Sequence, residues 1–377
     1  MASLLRDLLF DLRRRGSYIA NELDQMAGNL SPSFGIHHAF VVERTRRANA
    51  TVERMLLDPD LSNRQLEPNF FIDFKRLTEL LLNIEDQSLL ILKRCSEPDQ
   101  LLSAILQRIC CEVGYKDTAP LCGALSFQYF QALVGMDIVM TPQTQANDLL
   151  SLPDLYHELA HFVVFRQRAT FEVGALTVIH RFFENALRKG QQQGLPAASL
   201  DSIRTNHILW RGDWFVEFVC DMIATFWCGP SYGWANLRLS ATRGGPYHEV
   251  STHPADDARR IGIESMLKLI DEPAAADEIN MRWEELKRLS PSTQPSGYAK
   301  RYPATLLVEL AAAIFQACRD SDFVSFQQQK KSNATFSIGS TVDRVWRAFI
   351  TDAENFAERE TAALNMIREA CSAAISQ

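Results

Sequence analysis

The stretch Pro153-Asp154-Leu155-Tyr156-His157-Glu158-Leu159-Ala160-His161 carries an H-E-x-x-H pattern inside a window with the apolar spacing of a helix. Residues four apart lie on one face of a helix, so His157 and His161 can present imidazole nitrogens to one Zn²⁺ ion. Glu158 then lies next to the metal, where a hydrolytic site needs a general base. The pattern alone is also compatible with a surface helix that carries two unrelated histidines.

A second apolar helix is predicted from Trp214 onward and contains two acids at a spacing of four, Glu217 and Asp221. Carboxylates inside an apolar helix are unfavourable unless they are paired or bind a metal. We assign Glu217 as the third zinc ligand and Asp221 as the acceptor for the free N–H of a ligand histidine. The reverse assignment stays open, and so do salt bridges to Arg204 or Arg211.

Together these elements resemble the gluzincin metallopeptidases, in which H-E-x-x-H is followed by a helix with E-x-x-x-D. The stretch Ser251-Thr252-His253-Pro254, with Arg259 five residues further on, is similar to the H-P-x-x-x-x-R element of the membrane gluzincins of the CAAX-prenyl-protease and HtpX type. The resemblance covers residues 136–265. It implies a zincin-like catalytic domain with a small β-sheet and zinc as its cofactor. It also implies that His253 stabilises the oxyanion and that Arg259 pairs with acids near the metal.

The chain departs from that family's pattern at several points. Ala160 stands where the family usually has glycine, and an added segment separates His161 from Glu217. No run of about 18 apolar residues is present, so we expect no membrane span, unlike the membrane enzymes of the family. Three other side chains are rival oxyanion donors: Tyr232, Tyr247 and His248.

Helical periodicity dominates the chain and predicts a mainly α fold in three parts. We predict a helical N-terminal domain at residues 1–117, a zincin-like metallopeptidase domain at 118–271 and a helical C-terminal region at 272–377. The segment Gly135–Pro142 is short, rich in β-formers and closed by proline, which predicts a strand at the edge of a sheet. We expect its residues 138–141 to line the substrate cleft.

Local signals predict several boundaries. Ser151 is a candidate N-cap and Pro153 a first-turn residue of the H-E-x-x-H helix. Residues 69–95 have the pattern of one long amphipathic helix. The stretch 290–303, rich in serine and proline, is the clearest predicted linker.

The composition is that of an ordinary globular protein, with 46% hydrophobic and 23% charged residues and a formal net charge of −7. A nucleic-acid binder would normally show an excess of basic residues, so we expect none of that activity. Eight cysteines without a C-x-x-C pair predict reduced thiols. The N-terminus lacks the features of a secretory signal, and the expected location is cytoplasmic.

The expected function is that of a zinc-dependent peptidase acting on a protein or peptide substrate. The alternative is a catalytically weak or inactive zincin scaffold that acts as a protein-interaction or regulatory module, and hydrolysis of a non-peptide amide is a third reading. The size of the helical flanks suggests either a narrow set of substrates or a regulatory protein partner. The loop Arg243–Gly245 could line the cleft, but a solvated loop is the favoured interpretation.

The remaining histidines are predicted to have structural roles. His37 and His38 follow a turn and have no acid at ligand spacing. His180 is predicted to pack within a helix. His207 is expected to cap a helix or to pair near Asp213.

Overall fold

The computed structural model describes residues 4–26, 28, 30–63, 65–126, 129–143, 147–243, 245–332 and 336–375. The described chain is mainly helical with one three-stranded sheet, which confirms the predicted mainly α class. In that part of the chain no helix is both long and apolar enough to cross a membrane. The division into three domains stays a prediction.

The N-terminal third is an array of helices. They are α1 (Leu4–Met26), α2 (Pro32–Leu57), α3 (Glu67–Asn83), α4 (Leu90–Arg94) and α5 (Glu97–Val113). A π-helical turn, Ile84–Leu89, divides the predicted helix 69–95 into α3 and α4, and Cys95 ends α4 in a left-handed conformation. Ser96 and Asp99 form a capping box that starts α5.

The sheet follows α5 and has the order β1-β3-β2. Its strands are β1 (Leu121–Ser126), β2 (Gln131–Leu133) and β3 (Ile138–Pro142), with β1 parallel and β2 antiparallel to β3. The predicted strand at Gly135–Pro142 is therefore present, but its placement at the edge is wrong because β3 is central. The proline does not prevent this position, since Pro142 is the last residue of β3.

The sheet is buried on both faces between two hydrophobic cores. Leu121 and Ile138 face a core built by the N-terminal helices. Their neighbours Cys122 and Val139 face a larger core that contains the rest of the fold. Because successive strand residues point to opposite faces, strands buried in this way are almost continuously apolar. This explains why the sequence around β1 looks like an undifferentiated apolar segment.

The middle of the chain is again helical. It contains α6 (Pro153–Arg166), α7 (Arg168–Gln192), α8 (Ala197–Arg211), α9 (Asp213–Cys228), α10 (Pro230–Arg243), α11 (Asp256–Leu269) and α12 (Pro273–Leu289). Pro153 is the first residue of α6, as predicted, but the prediction of Ser151 as N-cap is wrong. Leu152 precedes α6, and Ser151 lies in a 3₁₀ turn in which Asp148 accepts hydrogen bonds from the Leu150 N–H and the Ser151 hydroxyl.

The last part of the chain comprises α13 (Tyr298–Arg301), α14 (Ala304–Asp320), α15 (Phe326–Lys331), α16 (Ile338–Thr351) and α17 (Phe356–Ile375). The stretch predicted as a linker is in part packed: Tyr298 and Tyr302 are buried, and the Tyr302 hydroxyl donates to Glu249 at 2.8 Å.

The buried helix α9 lies at the centre of the larger core and contacts α6, α11 and α14.

Candidate metal centre

The two histidines of α6 point the same way, as the helical spacing predicts. The Nε2 atoms of His157 and His161 are 3.2 Å apart, and their rings meet edge to face with centroids 4.9 Å apart. His157 is buried and His161 is partly exposed. Two nitrogens with free lone pairs at this distance can bind one cation in common.

Helix α9 packs against α6 and brings Glu217 to the same point. Glu217 Oε2 lies 3.4 Å from His157 Nε2, and Glu217 Oε1 lies 3.6 Å from His161 Nε2. The Oε2 atom is buried and accepts no hydrogen bond from the described part of the chain. Its nearest charged or polar neighbours are the imidazoles of His157 at 3.4 Å and His253 at 3.5 Å, so a cation bound among these side chains would stabilise the buried carboxylate.

The three groups have the spacing of ligands around a zinc ion. Zinc–ligand bonds of about 2.0–2.1 Å in a tetrahedron place the donor atoms ~3.3 Å from one another. The two Nε2 atoms are 3.2 Å apart, and the two Glu217 oxygens lie close to one histidine each, Oε2 at 3.4 Å from His157 and Oε1 at 3.6 Å from His161. Two imidazoles and one carboxylate are also a donor set that zinc accepts. The residues therefore fit Zn²⁺ by both distance and chemistry.

Asp221 lies behind His157, on the side away from these donors. Its Oδ1 atom is 3.0 Å from His157 Nδ1 and accepts a hydrogen bond from the Tyr232 hydroxyl at 2.5 Å. The Tyr232 oxygen is itself 2.8 Å from Nδ1. A proton on Nδ1 can be shared by both oxygens, which leaves Nε2 as the donor to a metal. The geometry thus favours Glu217 over Asp221 as the third ligand.

Arg259 neutralises Asp221 from the opposite side. Its Nε and Nη2 atoms donate to the two Asp221 oxygens at 2.7 and 2.6 Å, and both side chains are buried. Arg259 is also 4.0 Å from Glu217 and 3.6 Å from Asp256. The pairing expected from the resemblance is therefore present. The suggested salt bridges to Arg204 or Arg211 are not seen, and Arg204 pairs with Asp201.

Glu158 occupies the position that a general base requires. It is buried, and the backbone N–H of Ala132 in β2 lies near its carboxylate and stabilises the charged form. One donor atom from each of His157, Glu158 and His161 lies within 4.8 Å of the others. Burial raises the pKa of Glu158 to about 7, so the carboxyl can both accept and release a proton near neutrality.

The charges around the donors attract a cation. Burial lowers the pKa of His161 to about 4, so its ring is neutral and offers a lone pair. Burial also disfavours a charge on His157, but Asp221 and Glu217 outweigh it and raise the pKa to about 10. Burial acts to raise the pKa of Glu217, but the nearby charges of His157, His161 and Arg259 outweigh it and lower the pKa to about 2. The negative charges of Asp221 and Glu217, which stabilise a proton on His157, also attract a metal ion electrostatically.

His253 reaches the site from the loop before α11. Its Nε2 atom is 3.5 Å from Glu217 Oε2, its Nδ1 atom is 2.9 Å from Thr252 Oγ1, and its side chain is 44% exposed. The rivals are less suitable as oxyanion donors. The Tyr232 hydroxyl is engaged with Asp221 and His157. Tyr247 packs against Tyr298, and His248 lies only on the outer wall of the cleft.

Two connected cavities meet at these residues. The outer one, about 660 Å³, runs along Gln131 and Ala132 of β2. The strand that lines the cleft is therefore β2, and the prediction of residues 138–141 is wrong because β2 lies between β3 and the cleft. No pattern in the sequence indicated β2, which has only three residues.

The inner cavity, about 220 Å³, extends from the same point towards α10. Arg243 lines both cavities and stacks on Tyr129, with its guanidinium carbon 3.9 Å from the ring centroid. The Arg243 Nε atom is buried and has no hydrogen-bond partner among the described residues. The prediction of a solvated residue is wrong for Arg243, which ends α10 and is half-buried. Gly244 lies outside the described residues.

The other histidines lie away from this centre. His37 is buried in α2, and His38 Nε2 contacts the carbonyl of Leu23 at 2.8 Å. His180 is exposed on α7, contrary to the prediction that it packs within the fold. His207 lies beside His180 rather than near Asp213.

Searches against protein-family models, curated proteins and solved structures find no match to this chain. The function must therefore be inferred from the geometry of the site.

Proposed function

We propose that this protein is a zinc-dependent peptidase of the gluzincin type. His157, His161 and Glu217 hold the zinc ion, Glu158 is the general base and His253 stabilises the oxyanion. One observation carries the proposal: two imidazole nitrogens lie 3.2 Å apart, and the two oxygens of the buried Glu217 carboxylate lie 3.4 and 3.6 Å from them, beside a buried glutamate in a cleft.

When bound, zinc polarises the scissile carbonyl and lowers the pKa of a water molecule. Glu158 takes a proton from the attacking water and later delivers it to the leaving amine. The Ala132 N–H near the Glu158 carboxylate stabilises the charged form of Glu158. His253 donates from Nε2 to the oxygen on which negative charge develops. Asp221, held by Arg259, keeps the His157 ring in the orientation that directs Nε2 at the ion.

The shape of the cleft favours a peptide over a small amide. Strand β2 pairs with β3 along one edge and borders the outer cavity with its other side. An extended peptide can add to such an edge through its backbone hydrogen bonds. That mode of binding brings the peptide backbone past Glu158, because Ala132 of the same strand contacts its carboxylate. A non-peptide amide would not use this edge.

An inactive zincin scaffold remains the alternative function. It would need neither a general base nor an open cleft, whereas Glu158 is held in place at the junction of two cavities. These features support the enzyme. A regulatory partner that binds the helical flanks is compatible with either function and stays a prediction, as does a cytoplasmic location.

The test combines metal analysis with cleavage of a peptide library. Glu158→Gln should retain bound zinc while cleavage falls by about 10²–10⁴-fold, the usual contribution of a general base. Glu217→Ala should lose the zinc. Glu354→Gln, an exposed acid far along the chain, is the control and should change neither. Full zinc occupancy in Glu217→Ala would reject this ligand, and unchanged cleavage by Glu158→Gln would reject the mechanism.

A further inference from the structure

A second group of metal-binding side chains lies between α7 and α8, in the segment inserted between His161 and Glu217. His180 and Glu184 are one turn apart on α7, and His207 comes from α8. One donor atom of each lies within 4.8 Å of the other two. The donor atoms of His157, Glu158 and His161 on α6 lie within the same distance of one another, whereas the residues of the second group come from two helices.

His207 is held in a fixed position by aromatic contacts. Its ring stacks on the buried Phe183, with centroids 5.2 Å apart and planes 20° apart. It faces the His180 ring at 5.4 Å. Its Nε2 atom is shielded from solvent and has no hydrogen-bond partner in the described part of the chain. A buried ring nitrogen without a partner is unfavourable, and it is explained if the nitrogen binds an ion.

The surrounding charges are compatible with a bound cation. Burial lowers the pKa of His207, as do the nearby charges of Arg211 and His180. Glu184 provides a negative charge near His207, and this charge acts to raise the pKa of His207. Because His180 and Glu184 are exposed, an ion can enter directly from solvent.

We propose that His180, Glu184 and His207 bind a second zinc-class divalent ion, independently of the peptidase centre. Two imidazoles and a carboxylate suit Zn²⁺ better than Mg²⁺ or Ca²⁺, which prefer oxygen ligands. The ion joins α7 to α8 and so braces the inserted segment that separates the two helices of the peptidase centre. Two exposed ligands make this ion more exchangeable than one held by His157, His161 and Glu217.

The test is the number of Zn²⁺ ions bound per chain, measured by titration against a chromophoric chelator after metal has been removed. The wild type should bind two. His180→Ala/Glu184→Ala and His157→Ala/His161→Ala should each bind one. Both residues of the first pair are exposed, so their removal should leave the fold intact. Asn185→Ala, an exposed neighbour on α7, should still bind two.

The outcomes separate the two sites. If His180→Ala/Glu184→Ala binds as many ions as the wild type, the second site is rejected whatever happens at the first. If the wild type binds one ion and only this variant loses it, the second site is supported, and zinc binding at the proposed peptidase site is rejected. Zn²⁺ should also raise the unfolding temperature of His157→Ala/His161→Ala, since an ion that binds the native state stabilises it. No increase would contradict the bridge between α7 and α8.

Discussion

Replacement of Asp221 by asparagine tests the buried network behind His157. The substitution keeps the shape of the side chain but leaves Arg259 without its bidentate partner in a site where both residues are almost fully buried. Breaking a buried ion pair from one side destabilises a protein by roughly 3–5 kcal/mol. Asp256 at 3.6 Å and Glu217 at 4.0 Å remain near the guanidinium, so we expect the low end, about 3 kcal/mol.

Urea unfolding with a chelator present measures this loss of stability without a contribution from metal. The matched comparison is the double variant Asp221→Asn/Arg259→Met, which removes both members of the pair, although Asp256 and Glu217 then lose the nearby guanidinium as well. It should recover much of the lost free energy of unfolding, because replacing both members of a buried pair is often close to neutral. Zinc affinity should fall about 10–100-fold in both variants, since His157 loses its carboxylate partner. If Asp221→Asn unfolds within about 1 kcal/mol of the wild type and the double variant is no better, the role given to this ion pair is wrong.

Three further substitutions test individual contacts of the site. Tyr232→Phe removes one hydroxyl but leaves Asp221 3.0 Å from His157 Nδ1, so stability should fall by about 0.5–1.5 kcal/mol in thermal unfolding, and a loss above 3 kcal/mol would contradict a supporting role. His253→Ala should lower kcat by about 10²–10³-fold without loss of zinc, and unchanged turnover would reject His253 as the oxyanion donor. Arg243→Gln should reduce cleavage of peptides with a carboxylate near the scissile bond about tenfold relative to the same peptides with an amide there. The reason is that the substitution removes an ion pair with the carboxylate that contributes about 1–2 kcal/mol to binding. Arg243→Lys should restore part of the preference for carboxylate peptides. If Arg243→Gln lowers cleavage of both peptide series equally, the proposed role of the Arg243 charge is refuted.

The parts of the site that the sequence predicted are those fixed by a single helix. The spacing of His157 and His161, or of Glu217 and Asp221, determines which side chains share a face before any tertiary contact forms. The contact of Arg259 with Asp221 was expected only through the resemblance to gluzincins, since residues on separate helices have no fixed relation in the sequence.

The features that were missed depend on tertiary packing. Strand β2 is too short for a periodic signal, and its place at the cleft follows from its pairing with β3. Tyr232 meets His157 only because α10 folds back beside α6. In the same way, His207 reaches His180 through the register of two neighbouring helices, which neither helix pattern specifies.

The position of the sheet between two cores links the N-terminal helices to the chemistry of the cleft. Leu121 and Ile138 pack against the N-terminal core. Strand β3 pairs with β2, and the backbone N–H of Ala132 in β2 lies near Glu158. If a partner bound the N-terminal helices and favoured one position of the sheet, binding there and binding in the cleft would be coupled, and each would change the affinity of the other by the same factor. The residues that line the two cavities do not come from these helices, so such coupling would act through the sheet.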